Sequence, residues 1–394
     1  MEGALWLLNF AMGMSFFAVS PLFPLIEESY GTSSAAVSLL VGGSSLVVAL
    51  ALIPGGIFAA RVGSRAALAT GGLLMSSVVF APLAPSFELL LATRVLFALG
   101  AAVTLGAAPA VVMRWFPRRE LPVVNGANVV AQSLGVTVSL LVAAPVAEAV
   151  GWQGALLTTG VVTAVATALW LVVARSDVGS DGAAPPPLAF RDLRNTVTNR
   201  PTVLLGVGVA GGLGAFVALS AWLPTYYHEE FGFSLSRAGT VTAALPFFGI
   251  GGSLLGSWLS FRGGARQPFL VISGLLMPIA AFGTFVSDEP LLLFPSAALL
   301  GVAAWLYFPV AFTIPMELPG MTPERAGVAV ATALSIGNVA AFAAPLLVGV
   351  LRDLTGGFGV GLTICALLPL SLVAAGLLLR PNRGELAASS AVGG

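Results

Sequence analysis

Four polar residues, Asn125, Asn128, Gln132 and Ser139, stand at i, i+3, i+7 and i+14 of one apolar run, with Gly135 among them. At helical periodicity they share one face. An amide in hydrocarbon is costly without a partner, so that face must meet protein, water or a ligand. It reads either as a hydrogen-bonding wall for a solute, centred on Gln132 with Asn128 beside it, or as glue between helices. Arg94 lies inside another apolar run. There a guanidinium could attract an anion or stabilise a proton transfer; bonding neighbouring helices or snorkelling outward is the structural alternative.

Large aromatics form a third group: Phe16 and Phe17, Trp222, Tyr226 and Tyr227, and Trp305 and Tyr307. Such rings can box a quaternary ammonium by cation–π attraction. Packing is the plainer use, and Tyr226 and Tyr227 fall where an interfacial aromatic belt is expected. No Asp or Glu falls in the middle of an apolar run; Glu317, in Pro315-Met-Glu-Leu-Pro319, closes one, and its expected partner is Arg325 or another arginine at that end.

The elements that hold these groups follow from composition. Apolar residues make up 57% of the chain and charged residues 9%, a mixture that belongs in a bilayer. All 17 basic residues are arginine, so neither a Walker A lysine nor Schiff-base chemistry is available. A single histidine, His228, excludes multi-histidine metal sites. The lone Cys365 permits no intrachain disulfide. Zero net charge gives no sign of a nucleic-acid partner. No cofactor is implied, and an intramembrane protease would need paired aspartates or more histidines, so the reading is not an enzyme.

At roughly twenty apolar residues per crossing, twelve transmembrane helices are counted, over 4–26, 35–60, 66–86, 88–113, 123–147, 152–174, 202–227, 236–260, 267–287, 290–316, 325–351 and 357–379. With Glu2 and no basic leader, the first is read as a retained span. Most arginines, from Arg61 and Arg65 to Arg380 and Arg383, fall on one side. The other side holds Arg237 and Arg352 among Glu27, Glu28, Glu148, Glu229, Glu230 and Asp353. The positive-inside rule then makes both termini cytoplasmic, in what is expected to be a multi-pass protein of a prokaryotic inner (plasma) membrane. Lipid and a small solute are the expected partners, and a monomer the expected state.

The second and third spans meet at Gly56-Ile-Phe-Ala-Ala-Arg61-Val-Gly63-Ser-Arg65. A weaker copy, Gly256-Ser-Trp-Leu-Ser-Phe-Arg-Gly-Gly-Ala-Arg266, follows the eighth. Gly56 is expected to allow close backbone approach and Gly63 to take positive φ. The spacing resembles the signature loop of the major facilitator superfamily. The family's aspartate is replaced by Ala60 and Ser260, and its second-copy arginine by Phe261, so its charge relay is incomplete. Arg94-Val-Leu-Phe-Ala-Leu-Gly100 resembles the fourth-span pattern, with Phe97 and Ala98 at usually polar and glycine positions.

Other segments also repeat. Ser20-Pro-Leu-Phe-Pro24 with Glu27 and Glu28 echoes Ser220-Ala-Trp-Leu-Pro224 with Glu229 and Glu230, and Ser133-Leu-Gly135 echoes Ser335-Ile-Gly337. The expected fold is therefore an all-α membrane protein, twelve transmembrane helices in two pseudo-symmetric six-helix bundles. The bundles are 1–175 and 202–380, with a cytoplasmic linker over 176–201, where 188–197 offers a short interfacial helix, and a cytoplasmic tail over 381–394.

The resemblance implies that spans one, four, seven and ten line a central cavity. Substrate-binding candidates are then Arg94, Gln132, Asn128, Phe17, Trp222, Tyr226, Trp305 and Tyr307, and gating candidates Arg61, Arg65, Glu317 and Arg325. The expected function is secondary active or facilitative transport of a small organic solute or anion by alternating access. The missing mid-bilayer acid favours facilitated diffusion or exchange. A choline-like cation uniporter, a drug efflux carrier and a non-transporting solute sensor are the alternatives. The fifth span's lack of G-x-x-x-G-P weakens the efflux reading. Its Gln132-Ser-Leu-Gly-Val-Thr-Val-Ser loosely resembles choline carriers, and the chain resembles the cyanate and nitroimidazole branch about as loosely.

Overall fold

The computed structural model describes residues 2–115, 121–174, 190–261, 266–317 and 323–379, and all regular structure among them is helical. Helices bond their own backbone groups, which a chain this apolar needs in hydrocarbon. The order is α1 (Glu2–Phe17), α2 (Phe23–Tyr30), α3 (Ser34–Ser38), α4 (Gly42–Val62), α5 (Ser64–Met75), α6 (Phe87–Trp115), α7 (Leu121–Val173) and α8 (Phe190–Val197). There follow α9 (Arg200–Glu229), α10 (Leu235–Phe261), α11 (Gln267–Gly283), α12 (Pro290–Leu306), α13 (Phe308–Thr313), α14 (Pro323–Thr355), α15 (Gly359–Leu367) and α16 (Leu370–Leu378).

Ten stretches of the described residues are long and apolar enough to cross a membrane, against the twelve counted from the sequence. Two places account for the difference. The runs expected at 123–147 and 152–174 form one stretch, Val124–Val173, and α11 is only 17 residues long. No loop divides α7; one residue, Gly151, turns it at φ 79°, ψ 162°, which glycine adopts without a Cβ clash. Its two arms run in opposite directions. The first passes Asn9 of α1 and reaches Ser236 of α10, whose Oγ donates to Glu148 at 2.8 Å. The second starts with Trp152 against Tyr30, ring centroids 5.7 Å apart, and ends with Trp170 donating to the Arg65 carbonyl at 3.2 Å.

The first span, expected over 4–26, is also interrupted. α1 stops at Phe17, a 3₁₀ turn covers Ser20–Leu22, and α2 begins at Phe23. Pro21 and Pro24 supply no backbone N–H, so an unbroken helix here would lose bonds at both. Gly63 takes φ 85°, as its place in the turn predicts. The close approach assigned to Gly56 falls on its neighbours instead. A Cβ at Gly56 would meet nothing within 4 Å, whereas one on Gly55 would sit 3.1 Å from the Ala102 oxygen and one on Gly106 would sit 2.7 Å from the Gly56 nitrogen.

α1 lies along the first arm of α7, α4 along α6, and α9 along α14. α14 also crosses α4, Ser335 Oγ donating to the Ala49 carbonyl at 3.3 Å, and α10 meets the first arm of α7. α8 falls within the stretch expected to form a short helix and packs on α14; the rest of the linker and the tail 381–394 lie outside the described residues. Large apolar side chains such as Leu83, Val172 and Leu291 are exposed on the outside, as in a protein solvated by lipid.

Candidate functional site

Ring contacts run across the middle of the molecule from α6 to α13. The Arg94 guanidinium carbon lies 4.7 Å from the Phe97 ring centre. Phe97 meets Phe16 at 6.1 Å, Phe16 meets Phe17 at 5.2 Å, and Phe17 meets Phe216 at 6.4 Å. Phe216 then meets Trp305 edge-on at 5.7 Å, and Trp305 meets Phe308 at 5.2 Å. This belt draws on α6, α1, α9, α12 and α13, which overlap the four runs implied to line a cavity. It includes Phe17 and Trp305 from the sequence candidates; Phe97, Phe216 and Phe308 were not among them. Tyr307, buried, packs on Gly212 of α9 and meets Phe308 at 5.7 Å.

The polar candidates are held in different ways, and Arg94 alone touches the belt directly. Arg94, 1% exposed, donates from Nη1 to the Ser15 carbonyl at 2.7 Å, from Nη2 to Phe16 at 2.8 Å and from Nε to Leu40 at 3.1 Å. Ser15 and Phe16 are in the last turn of α1, where carbonyls have no helical partner, and Leu40 lies in the break between α3 and α4. Arg94 thus caps one helix end with a cation and ties a second break to α6.

Asn128 accepts from Asn9 Nδ2 at 3.3 Å, and Asn9 also donates to the Leu5 carbonyl at 3.0 Å, so this part of the amide face turns toward α1. Gln132 is half-buried at the close α1–α7 crossing, where its backbone abuts Gly13; its side-chain amide has no hydrogen-bond partner among the described residues. The Trp305 Nε1 atom is buried and likewise unpartnered. Ser139 bonds back to the Val136 carbonyl at 2.8 Å, and Asn125 is exposed.

A second aromatic layer lies toward the acid-rich end. Trp222, fully buried, donates to the Pro345 carbonyl at 2.9 Å and meets Phe23 at 5.2 Å and Phe358 at 5.7 Å. Tyr226 donates to the Phe285 carbonyl at 2.6 Å, and Tyr227 is buried. Tyr226 is half-buried and its ring meets Phe231 at 5.1 Å and Phe358 at 5.7 Å.

Above that layer the structure builds a cluster from residues that sequence reasoning used only to set orientation and to mark the repeat. Arg352 Nη1 donates to both Glu27 oxygens at 3.1 Å and to Ser34 Oγ at 2.7 Å, and Nη2 donates to both Glu229 oxygens at 2.7 Å. Asp353 accepts from the backbone N–H of Ser34 at 3.0 Å and of Ala35 at 2.9 Å. The arginine lies over Phe358 at 4.7 Å and Trp222 at 5.7 Å. The signal was present in the paired acids closing both repeated segments, together with the one arginine at the end of the eleventh run.

At the opposite end Arg61 is exposed, and Arg65 Nη2 reaches the Leu171 carbonyl at 3.4 Å. Arg325 is half-buried in the first turn of α14. Glu317 ends the 3₁₀ turn Ile314–Glu317, and its side chain, with the expected pairing to Arg325, lies outside the described residues. No group of three or more His, Cys, Asp or Glu that could hold a metal occurs among the described residues.

Comparison with known proteins agrees with this architecture. The chain is 27% identical over 370 residues to the probable L-galactonate transporter of Escherichia coli (strain K12), covering 86% of this chain and 80% of that one. It is 26% identical to the cyanate transport protein CynX of the same strain, with 93% of both covered. It is 30% identical to human monocarboxylate transporter 11 over 85% of this chain and 73% of that one. A crystal structure of a bacterial homolog of the human lysosomal transporter Spinster, inward-facing and unoccupied, superposes with a TM-score of 0.74 at 18% identity, covering 99% and 95% of the two chains. Residues 5–345 match the Major Facilitator Superfamily, and the chain belongs to that family of membrane transporters.

Proposed function

We propose that the protein carries a small organic anion across the membrane by alternating access. In this reading α7 crosses twice through its turn at Gly151 and α11 crosses as a short helix, which gives twelve crossings in two halves, 1–175 and 202–380. The linker 176–201 joins them, and both termini are cytoplasmic. The halves are latched at the acid-rich outer end by Arg352 and Asp353. They part at the arginine-rich inner end, where Arg61, Arg65, Glu317 and Arg325 would form the closing contacts of the opposite state.

The observation that carries this reading is the aromatic belt with the buried, unpartnered Trp305 indole N–H, beside which stands the half-buried Gln132 amide at the α1–α7 crossing, also without a partner among the described residues. A buried donor without an acceptor is costly and is matched by a solute bearing acceptor oxygens. No carboxylate lies within the belt to favour a cation. The named cargoes of the relatives, L-galactonate and cyanate, are small anions and support the same class. Asn128, Phe17, Tyr307, Trp222 and Tyr226 would shape the site, and Arg94 would act on it by fixing the end of α1.

Uptake into proteoliposomes tests this with radiolabelled L-galactonate and cyanate, and choline as the cationic probe. One of the anions is expected to enter. Gln132→Ala and Trp305→Phe should each raise its half-saturation concentration by about tenfold, the loss of one hydrogen bond of ~1.4 kcal/mol. Entry of choline without either anion would favour the cation reading, and binding of an anion without flux would favour a sensor.

A further inference from the structure

The Arg352 cluster divides its bonds between two parts of the protein, and this division assigns different roles to its two acids. Nη1 serves Glu27 of α2 and Ser34 of α3, and Nη2 serves Glu229 at the end of α9. α9 and α14 are packed along their length, with Trp222 bonded to the Pro345 carbonyl, so Glu229 and Arg352 travel together. Glu27 and the backbone N–H donors to Asp353, from Ser34 and Ala35, precede α4 and belong to the half 1–175.

We propose that Glu229 is a positioning residue for the outer gate: it keeps Arg352 paired when the halves separate, so the cost of opening falls on Glu27 and the Asp353 contacts. This rests on the alternating-access reading. Arg352 is only 17% exposed and lies on two aromatic faces. A guanidinium left there without a carboxylate would be expensive. With Glu229 in place it exchanges two carboxylates for one. Without the Glu229 charge, Glu27 becomes its only anionic partner, and opening strands the arginine. Without the Glu27 charge, Arg352 stays neutralised in both states, and the latch loses its ionic link across the halves.

The two isosteric substitutions therefore act in opposite directions. Glu27→Gln opens the outer end, and Glu229→Gln holds it shut. If both acids simply braced a closed end, both substitutions would open it. The measurement is a pulsed electron–electron distance distribution in liposomes, with spin labels at Ser29→Cys and Leu354→Cys in a Cys365→Ala background. Ser29 is exposed on α2, and Leu354 is 77% exposed on α14.

The long-distance population should rise about threefold with Glu27→Gln and fall about threefold with Glu229→Gln, a scale set by partly exposed ion pairs. If Glu229→Gln is not recovered folded, Glu229→Asp, with its shorter reach, should shift the population in the same direction. Opening by both substitutions, or no response to loss of Glu229, would overturn the proposal. One unchanging distance in every variant, Glu27→Gln included, would instead overturn the alternating-access reading beneath it.

Discussion

Arg94 shows how a polar residue's cost in an apolar setting becomes a fixed structural position. Its side chain meets three carbonyls that two helix breaks leave without backbone partners. Arg94→Ala would leave the Ser15 and Phe16 carbonyls buried without these bonds, while Leu40 keeps only the Ser44 hydroxyl at 2.9 Å, so we expect a loss of about 3 kcal/mol, read as a lower unfolding temperature in detergent. Arg94→Lys should restore less than half of it, since a point ammonium cannot span the three acceptors of a planar fork. The position of Arg94 was legible as an intramembrane charge, but its partners were not. They depend on α1 breaking near Pro21 and on Leu40 falling in a second break, which periodicity does not reveal. Arg352 was legible only as a charge on the minority side. Its bonds to Glu27 and Glu229 join residues from three separate helices.

The helices themselves were legible to the extent that apolar length marks them, because a bilayer demands long runs with internally bonded backbones. The run bounds place a connection over 148–151, Glu148-Ala-Val-Gly151. The chain instead stays helical up to Gly151 and turns on that one position. Gly151→Ala should therefore destabilise the protein by about 1 kcal/mol, because a Cβ disfavours φ 79°. A thermal melt checks this, and an unchanged melting temperature would count against the turn. The α1–α7 crossing makes a sharper demand, since a Cβ on Gly13 would overlap the Gln132 carbonyl. Gly13→Val should push the helices apart, displace the Gln132 amide and abolish solute binding in a thermal-shift assay, while the protein still inserts in the membrane. Retained binding would remove Gln132 from the site.

At the scale of the whole molecule, repeated segments suggested related halves before any packing was known. The first arm of α7 lies on α1 as α14 lies on α9. The echo of Ser133-Leu-Gly135 in Ser335-Ile-Gly337 falls on these two corresponding helices. The belt was harder to read. Phe97, Phe216 and Phe308 are ordinary packing residues in sequence, and only the packing of five helices brings them into one chain of contacts. The proposed mechanism requires the space beside that belt to communicate with one aqueous compartment at a time.

Labelling of Gln132→Cys by a membrane-impermeant maleimide, in a Cys365→Ala background and in vesicles of both orientations, measures that access directly. With the Arg352 latch intact, the account predicts fast reaction from the arginine-rich face and little from the acid-rich face. Glu27→Gln should raise the rate from the acid-rich face about threefold, in step with latch opening. Equal rates from both faces, or no reaction from either, would contradict it.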